Sequence, residues 1–144
     1  MKVLSRAFVN HLGRRMDVVS NMLNGIKNAG RAGKSEVQLP YSKFKAAIAH
    51  KLFEGGYVTS HEKQMKGNHP VLVLGVAYND AGKPKVSEIK QVSKQSRRVY
   101  YRVKDIRPVK SGQGMLFLST PKGVLSGNEA REQQVGGEAL FIIW

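Results

Sequence analysis

The stretch Ser93-Lys94-Gln95-Ser96-Arg97-Arg98-Val99-Tyr100-Tyr101 sets hydroxyls, three cations and two aromatic rings side by side. Cations neutralise phosphates, hydroxyls reach ribose 2′-OH groups, and a tyrosine ring stacks on an unpaired base. In an extended strand neighbouring tyrosines point to opposite faces, so at most one of the pair meets such a ligand. A second stretch, Ser119-Thr120-Pro121-Lys122-Gly123, joins two small hydroxyls that donate and accept, a stiff proline, a point charge and a glycine that permits close backbone approach. Expected between a strand and a capped helix, it reads either as a plain β-turn or as a loop suited to the wide, shallow minor groove of RNA.

Catalytic constellations are poor by comparison. His11, His50, His61 and His69 are scattered without metal-ligand spacing and read as structural histidines. Gly112-Gln113-Gly114 lacks the rest of a phosphate-loop or dinucleotide fingerprint. A metal-dependent nuclease needs clustered carboxylates, and Asp17, Asp80, Asp105 and the glutamates offer no such spacing. With no cysteine, disulfides, thiolate metal sites and thiol nucleophiles are excluded together.

Charge supports a binding role. The 144 residues carry 24 Lys plus Arg against 10 Asp plus Glu, a net of +14, which implies a polyanionic partner. Ten of the cations lie between Lys83 and Lys110, opposed only by Glu88 and Asp105. That imbalance is too one-sided for salt-bridge lacing, which needs alternating signs, and phosphate binding accounts for it better. Hydrophobic residues make up 41%, enough for a core, so the chain is not a disordered basic tail. The longest apolar run, Val71 to Ala77, is far short of the roughly 20 residues that span a membrane.

The elements that must position these residues follow from periodicity and punctuation. Residues 1–15, with Lys2, Arg6, Arg14 and Arg15, read as a basic, partly helical extension, or else as an organellar transit peptide. Asp17 is placed to cap a helix with Val19, Met22, Leu23 and Ile26 on one face, ending in the Gly30 to Gly33 turn. Ser35 to Leu39 predicts a strand closed by Pro40, and Ser42 caps a second helix carrying Phe44, Ala47, Ile48 and Leu52 up to Gly55-Gly56. Strands are predicted over Tyr57 to Met65 and Val71 to Tyr78, joined by Lys66 to His69. After the Asn79 to Gly82 turn, further strands are expected over Lys83 to Val92, Val99 to Val103 and Met115 to Leu118. Ser126 and Glu129 have capping-box spacing for a short helix to about Gln134, and Glu138 to Trp144 reads as a closing strand. The fold class expected is therefore α+β, in two small packed domains over residues 16–82 and 83–144, each marginal alone.

From about Met16 to Trp144 the chain resembles the universal small-subunit ribosomal protein S-eight family, bacterial type. The most specific match is GMLFLSTPKGVLSGNEAREQQVGGEALFIIW, with its Ser-Thr-x-Lys-Gly loop, Glu-Ala-Arg helix and Val-Gly-Gly-Glu turn in the family's order. Ser93-Lys94 with Arg97-Arg98-Val99-Tyr100, Asp17 to Ala29, and Pro40-Tyr41-Ser42-Lys43-Phe44-Lys45 resemble further family segments. The resemblance implies an α-β-α-β-β amino-terminal half and a mostly β carboxy-terminal half with one short helix. It also implies a structural, non-enzymatic protein of the small ribosomal subunit that binds the central domain of its rRNA and supports assembly beside neighbouring ribosomal proteins, with no cofactor, small-molecule substrate or membrane partner. The place implied is the bacterial cytoplasm, with an organellar ribosome as alternative.

Carried over residue by residue, the resemblance makes Ser119, Thr120, Lys122 and Gly123 the readers of the RNA, supported by Tyr100 and Glu138, while Ser93, Lys94, Arg97, Arg98, Lys27 and Lys43 contact it around them, the basic ones holding phosphates. The chain departs from the family pattern at Pro121, where a second serine is usual, at Val18 for a proline, and at Gly25 for an arginine. The competing function is a basic nucleic-acid-processing enzyme or accessory RNA-binding module outside the ribosome.

Overall fold

The computed structural model describes the backbone of residues 6–144 and the side chains from residue 18 onwards. Helix α1 spans Arg6–Arg31. It therefore begins eleven residues before Asp17, which lies inside the helix and not at its cap as expected. Residues 6–16 contain no proline and several strong helix formers, so nothing stops the helix from starting early. The expected apolar face is present, with Val19, Met22, Leu23 and Ile26 all buried. Of the basic extension, residues 1–5 lie outside the described residues.

Strand β1 (Glu36–Pro40) leads into α2 (Lys43–Glu54), whose N-cap Ser42 accepts a hydrogen bond from the Lys45 N–H at 3.1 Å. Ile48, Ala49 and Leu52 of α2 are fully buried. Lys45 is buried as well; its Nζ donates to the Pro40 carbonyl at 2.7 Å, and burial holds its pKa below the ordinary value. Strands β2 (Val58–Lys66) and β3 (His69–Val76) pair antiparallel, and β1 pairs with the other edge of β3. The expected Lys66 to His69 connection contracts to a two-residue turn. Lys66 pairs with His69, leaving Gly67 (φ 61°) and Asn68 at the tip.

The carboxy-terminal half contains β4 (Ile89–Gln91), β5 (Tyr100–Tyr101), β6 (Met115–Thr120), β7 (Gly123–Ser126), α3 (Gly127–Glu132) and β8 (Gly137–Ile143). Their sheet runs β4-β8-β6-β7, with β5 on the same edge of β8 as β4. Three expectations change here. The strand expected over Lys83 to Val92 shrinks to β4, because Pro84 makes only an isolated bridge to Tyr78 and the Ser87 and Glu88 N–H groups turn to the Trp144 carbonyl. The strand expected over Val99 to Val103 shrinks to β5, because Asp105 accepts the Arg102 N–H and winds Val103–Asp105 into one 3-10 turn. Between Lys122 and the capped helix lies β7, not a loop.

The capping box forms as expected, with Ser126 N–H donating to Glu129 Oε1 and Glu129 N–H to Ser126 Oγ, although α3 ends two residues early. The main core draws on both halves of the chain. Phe117 and Phe141 stack with ring centroids 5.0 Å apart, and they share a cluster with Met22, Ile26, Ile48, Leu52 and Leu74. On the far side of the carboxy-terminal sheet a second cluster joins Ile106, Leu116, Leu118, Leu125, Ala130 and Ala139.

One ion pair also ties the halves: Lys51 Nζ of α2 sits 2.7 Å from Glu129 Oε2 of α3. Burial pushes the Glu129 carboxyl up, but the Lys51 hydrogen bond and the Ser126 N–H outweigh it and hold the group below its ordinary 4.5. Burial likewise pulls Lys51 down, and the bond to Glu129 outweighs it, leaving the amine above its ordinary 10.5. A depressed carboxyl stabilises above its unfolded pKa and loses that contribution as pH falls; a raised amine stabilises below its unfolded pKa and loses it as pH rises. Glu129→Gln keeps the capping-box partner and removes the charge. Its stability deficit against the wild type is expected to be flat between the two ordinary pKa values and to close in more acidic solution, which urea melts across pH would measure.

Candidate nucleic-acid interface

A bulge in β8 sets up the site. Phe117 pairs with Phe141 but Leu118 pairs with Ala139, so Leu140 has no partner on β6. The extra residue lets Leu140 and Phe141 both enter the main core and reverses the facing of the rest of β8. Glu138, opposite Tyr100 on one side and Ser119 on the other, thereby shares a face with both. Three strands thus bring a ring, a carboxylate and a hydroxyl into one row. Tyr100 is 69% exposed while Tyr101 packs into the second core cluster, as strand alternation required.

Glu138 is 5% exposed, and its Oε2 accepts from Arg98 Nη1 at 2.7 Å. A buried carboxylate bonded to a half-buried guanidinium is held in one place, so it braces the floor between Tyr100 and Ser119. Close strand approach depends on Gly136 and Gly137: a Cβ on the first would collide with the Tyr101 carbonyl, and on the second with the Ser119 carbonyl. The doublet, which the sequence offered only as part of the Val-Gly-Gly-Glu turn, is what lets β5 and β6 flank β8. A shallow cavity of about 680 Å³ opens here, bounded by Arg98, Tyr100, Arg102, Ser119, Pro121 and Glu138 among others.

The hydroxyl stretch is a hairpin. Ser119 and Thr120 end β6, Pro121-Lys122 turn, and Gly123 (φ 102°) begins β7. Thr120 Oγ1 donates to the Gly123 carbonyl at 2.8 Å and accepts the Lys122 N–H at 3.1 Å, so this hydroxyl builds the turn. Lys122 and Gly123 are exposed at the tip.

The other expected site residues fall into three positions. Lys94 and Arg97 close an exposed four-residue turn by exchanging backbone hydrogen bonds, which points both cations outward beside β5. Ser93 is fully buried, its hydroxyl donating to the Val99 carbonyl and accepting the Val99 N–H, so it pins that turn and presents nothing to a ligand. Lys27 on α1 pairs with Glu88, and Lys43 is exposed at the start of α2; neither borders the cavity. Arg102 does border it and is a cation that the motif reading passed over. Its signal was present in the Lys83 to Lys110 charge excess. Nine of those ten cations are exposed, and among the described residues only Arg98 and Arg102 of the ten make an ion pair.

Residues 17–144 match the family model for ribosomal protein S8. The chain belongs to the ribosomal protein S8 family. It is 43% identical over 129 residues to the small ribosomal subunit protein uS8 of Ruegeria pomeroyi, covering 89% of this chain and 98% of that protein. The uS8 of Caulobacter vibrioides is 42% identical over 129 residues, with 89% and 97% covered. That of Bdellovibrio bacteriovorus is 38% identical, with 90% and 100% covered. For a member of the S8 family the α+β fold, with its mostly β second half and one short helix, is the expected architecture. Residues 1–16 fall outside the matched region.

Proposed function

We propose that this chain is a structural protein of the small ribosomal subunit that binds the central domain of small-subunit rRNA and supports its assembly, in the bacterial cytoplasm. The observation that carries the reading is the row of exposed Tyr100, braced Glu138 and Ser119 on one face of three strands, next to outward cations at Lys94, Arg97 and Lys122. The ring stacks on an unpaired base, Ser119 meets a 2′-OH or base edge, and the cations fix the phosphates. The relatives named above carry the small-subunit name, and membership of their family supports the same place for this chain. Arg98 holds Glu138 and so shapes the floor, while Lys43 and Lys27 are candidates for phosphate contacts beyond it.

The test is binding to a central-domain rRNA fragment and to a random duplex of equal length. Six to ten phosphate contacts predict a loss of about 10³ to 10⁵ in affinity for the fragment between 50 and 200 mM salt. Tight, salt-sensitive binding that prefers the fragment is expected, together with co-sedimentation with small subunits. Equal affinity for both RNAs at every salt concentration would overturn the assignment.

A further inference from the structure

The turn between α2 and β2 brings together two histidines that lie eleven residues apart in sequence. His50 Nδ1 of α2 and His61 Nε2 of β2 are 3.4 Å apart, with their rings at 72°. The two rings share a hydrogen bond at that distance, and two imidazole nitrogens bound to one tetrahedral metal ion at about 2.0–2.1 Å are also about 3.3–3.4 Å apart, so an ion can take the place of the shared proton without opening the gap. A second feature points the same way. Glu54 Oε1 lies 2.8 Å from His50 Nε2, one helical turn on. The carboxylate favours the proton on Nε2 and leaves the Nδ1 lone pair facing His61, the arrangement that backs metal-bound histidines. The Phe53 ring packs edge-on against His61 at 5.3 Å and limits its rotation.

We propose that His50 and His61 form a surface site for a borderline divalent transition metal such as Zn²⁺ or Ni²⁺, with Glu54 orienting His50. Among the described residues no three histidine, cysteine or acidic side chains converge on one point, so water completes the coordination and the ion exchanges freely. Imidazole donors select this class over Mg²⁺ and Ca²⁺, which prefer oxygen. The His50 and Glu54 side chains are about half exposed, at 52% and 46%, so an ion reaches the site without rearrangement. Lys51, the cation beside Glu54, is drawn toward Glu129 at 2.7 Å and stays 3.5 Å from the Glu54 carboxylate. A bound ion would clip α2 to β2, and neither histidine borders the cavity beside Tyr100, so metal binding should leave base reading at that cavity unchanged.

Calorimetric titration of the full-length chain with Ni²⁺ alone, and separately with Zn²⁺ alone, tests this. One ion per chain is expected, with affinity falling at least about tenfold in His50→Ala and in His61→Ala, and about tenfold in Glu54→Gln as an orienting carboxylate is lost. His69→Ala should bind as the wild type does. Thermal melting provides a second readout: the metal should raise the melting temperature of the wild type and of His69→Ala but not of His61→Gln. Wild-type affinity retained in both His50→Ala and His61→Ala, or no metal-dependent rise in melting temperature, would overturn the proposal.

Discussion

Gly137→Ala is expected to be among the most damaging single-methyl additions in the described residues, lowering stability by about 3 kcal/mol and abolishing the Tyr100 face with it. The new Cβ would stand against the Ser119 carbonyl and the Thr120 methyl, and the first of these is backbone. Ser119 cannot retreat, because β6 is hydrogen-bonded to β8 on one edge and to β7 on the other. Relief therefore has to come from β8 itself, which would tilt Glu138 away from both Tyr100 and Ser119. Gly25→Ala is the control. Its Cβ would meet only the Leu39 methyl at 3.3 Å and Val37 at 3.7 Å, both movable side chains. Replacing glycine within a helix also gains up to about 1 kcal/mol of propensity, so this variant should be as stable as the wild type or more so. Urea melts measure both. A Gly137→Ala midpoint equal to the wild type's would show that the strands are less closely packed than the structure has them.

The contrast between these glycines shows what was legible in the sequence. Helix α2 could be read because its cap, stripe and stop are local: Ser42 bonds three residues ahead and Gly56 takes φ 81° just after the end. The opposite facing of Tyr100 and Tyr101 is equally local. Strand β7 was missed because four residues between a turn and a cap carry no period of their own, and its assignment rests on partners in β6. Ser93 was misplaced for a related reason. A serine beside a lysine suggests a surface, but Val99, six residues on, returns to take both its donor and its acceptor capacity. The Gly136-Gly137 doublet gives the same signal whether it ends a helix or admits two neighbouring strands. The family resemblance named Glu138, yet its burial against Arg98 depends on a bulge that no local pattern announces.

Under the proposed function, Tyr100→Ala and the Lys94→Ala, Arg97→Ala pair should fail in different ways, and the difference separates reading from holding. Stacking on an aromatic ring is worth about 1–3 kcal/mol per base, so losing the Tyr100 ring should weaken the cognate fragment by about 5- to 150-fold. The ring carries no charge, so the salt slope should stay as it was, and a random duplex with no unpaired base should hardly notice. Tyr100→Phe should retain most of the affinity. The two exposed cations meet phosphates that every RNA has. Their removal should weaken fragment and duplex alike and flatten the salt slope by about 2, one unit for each phosphate no longer neutralised. Ser119→Ala belongs with the tyrosine, lowering cognate binding selectively. Thr120→Ala does not, because its hydroxyl is spent within the turn, and its effect should come through a looser hairpin that lowers stability as well. If Tyr100→Ala flattens the salt slope, or weakens the duplex as much as the fragment, the row on β5, β8 and β6 is not where the base is read. The selectivity would then have to come from the cations and from the shape of the RNA they grip.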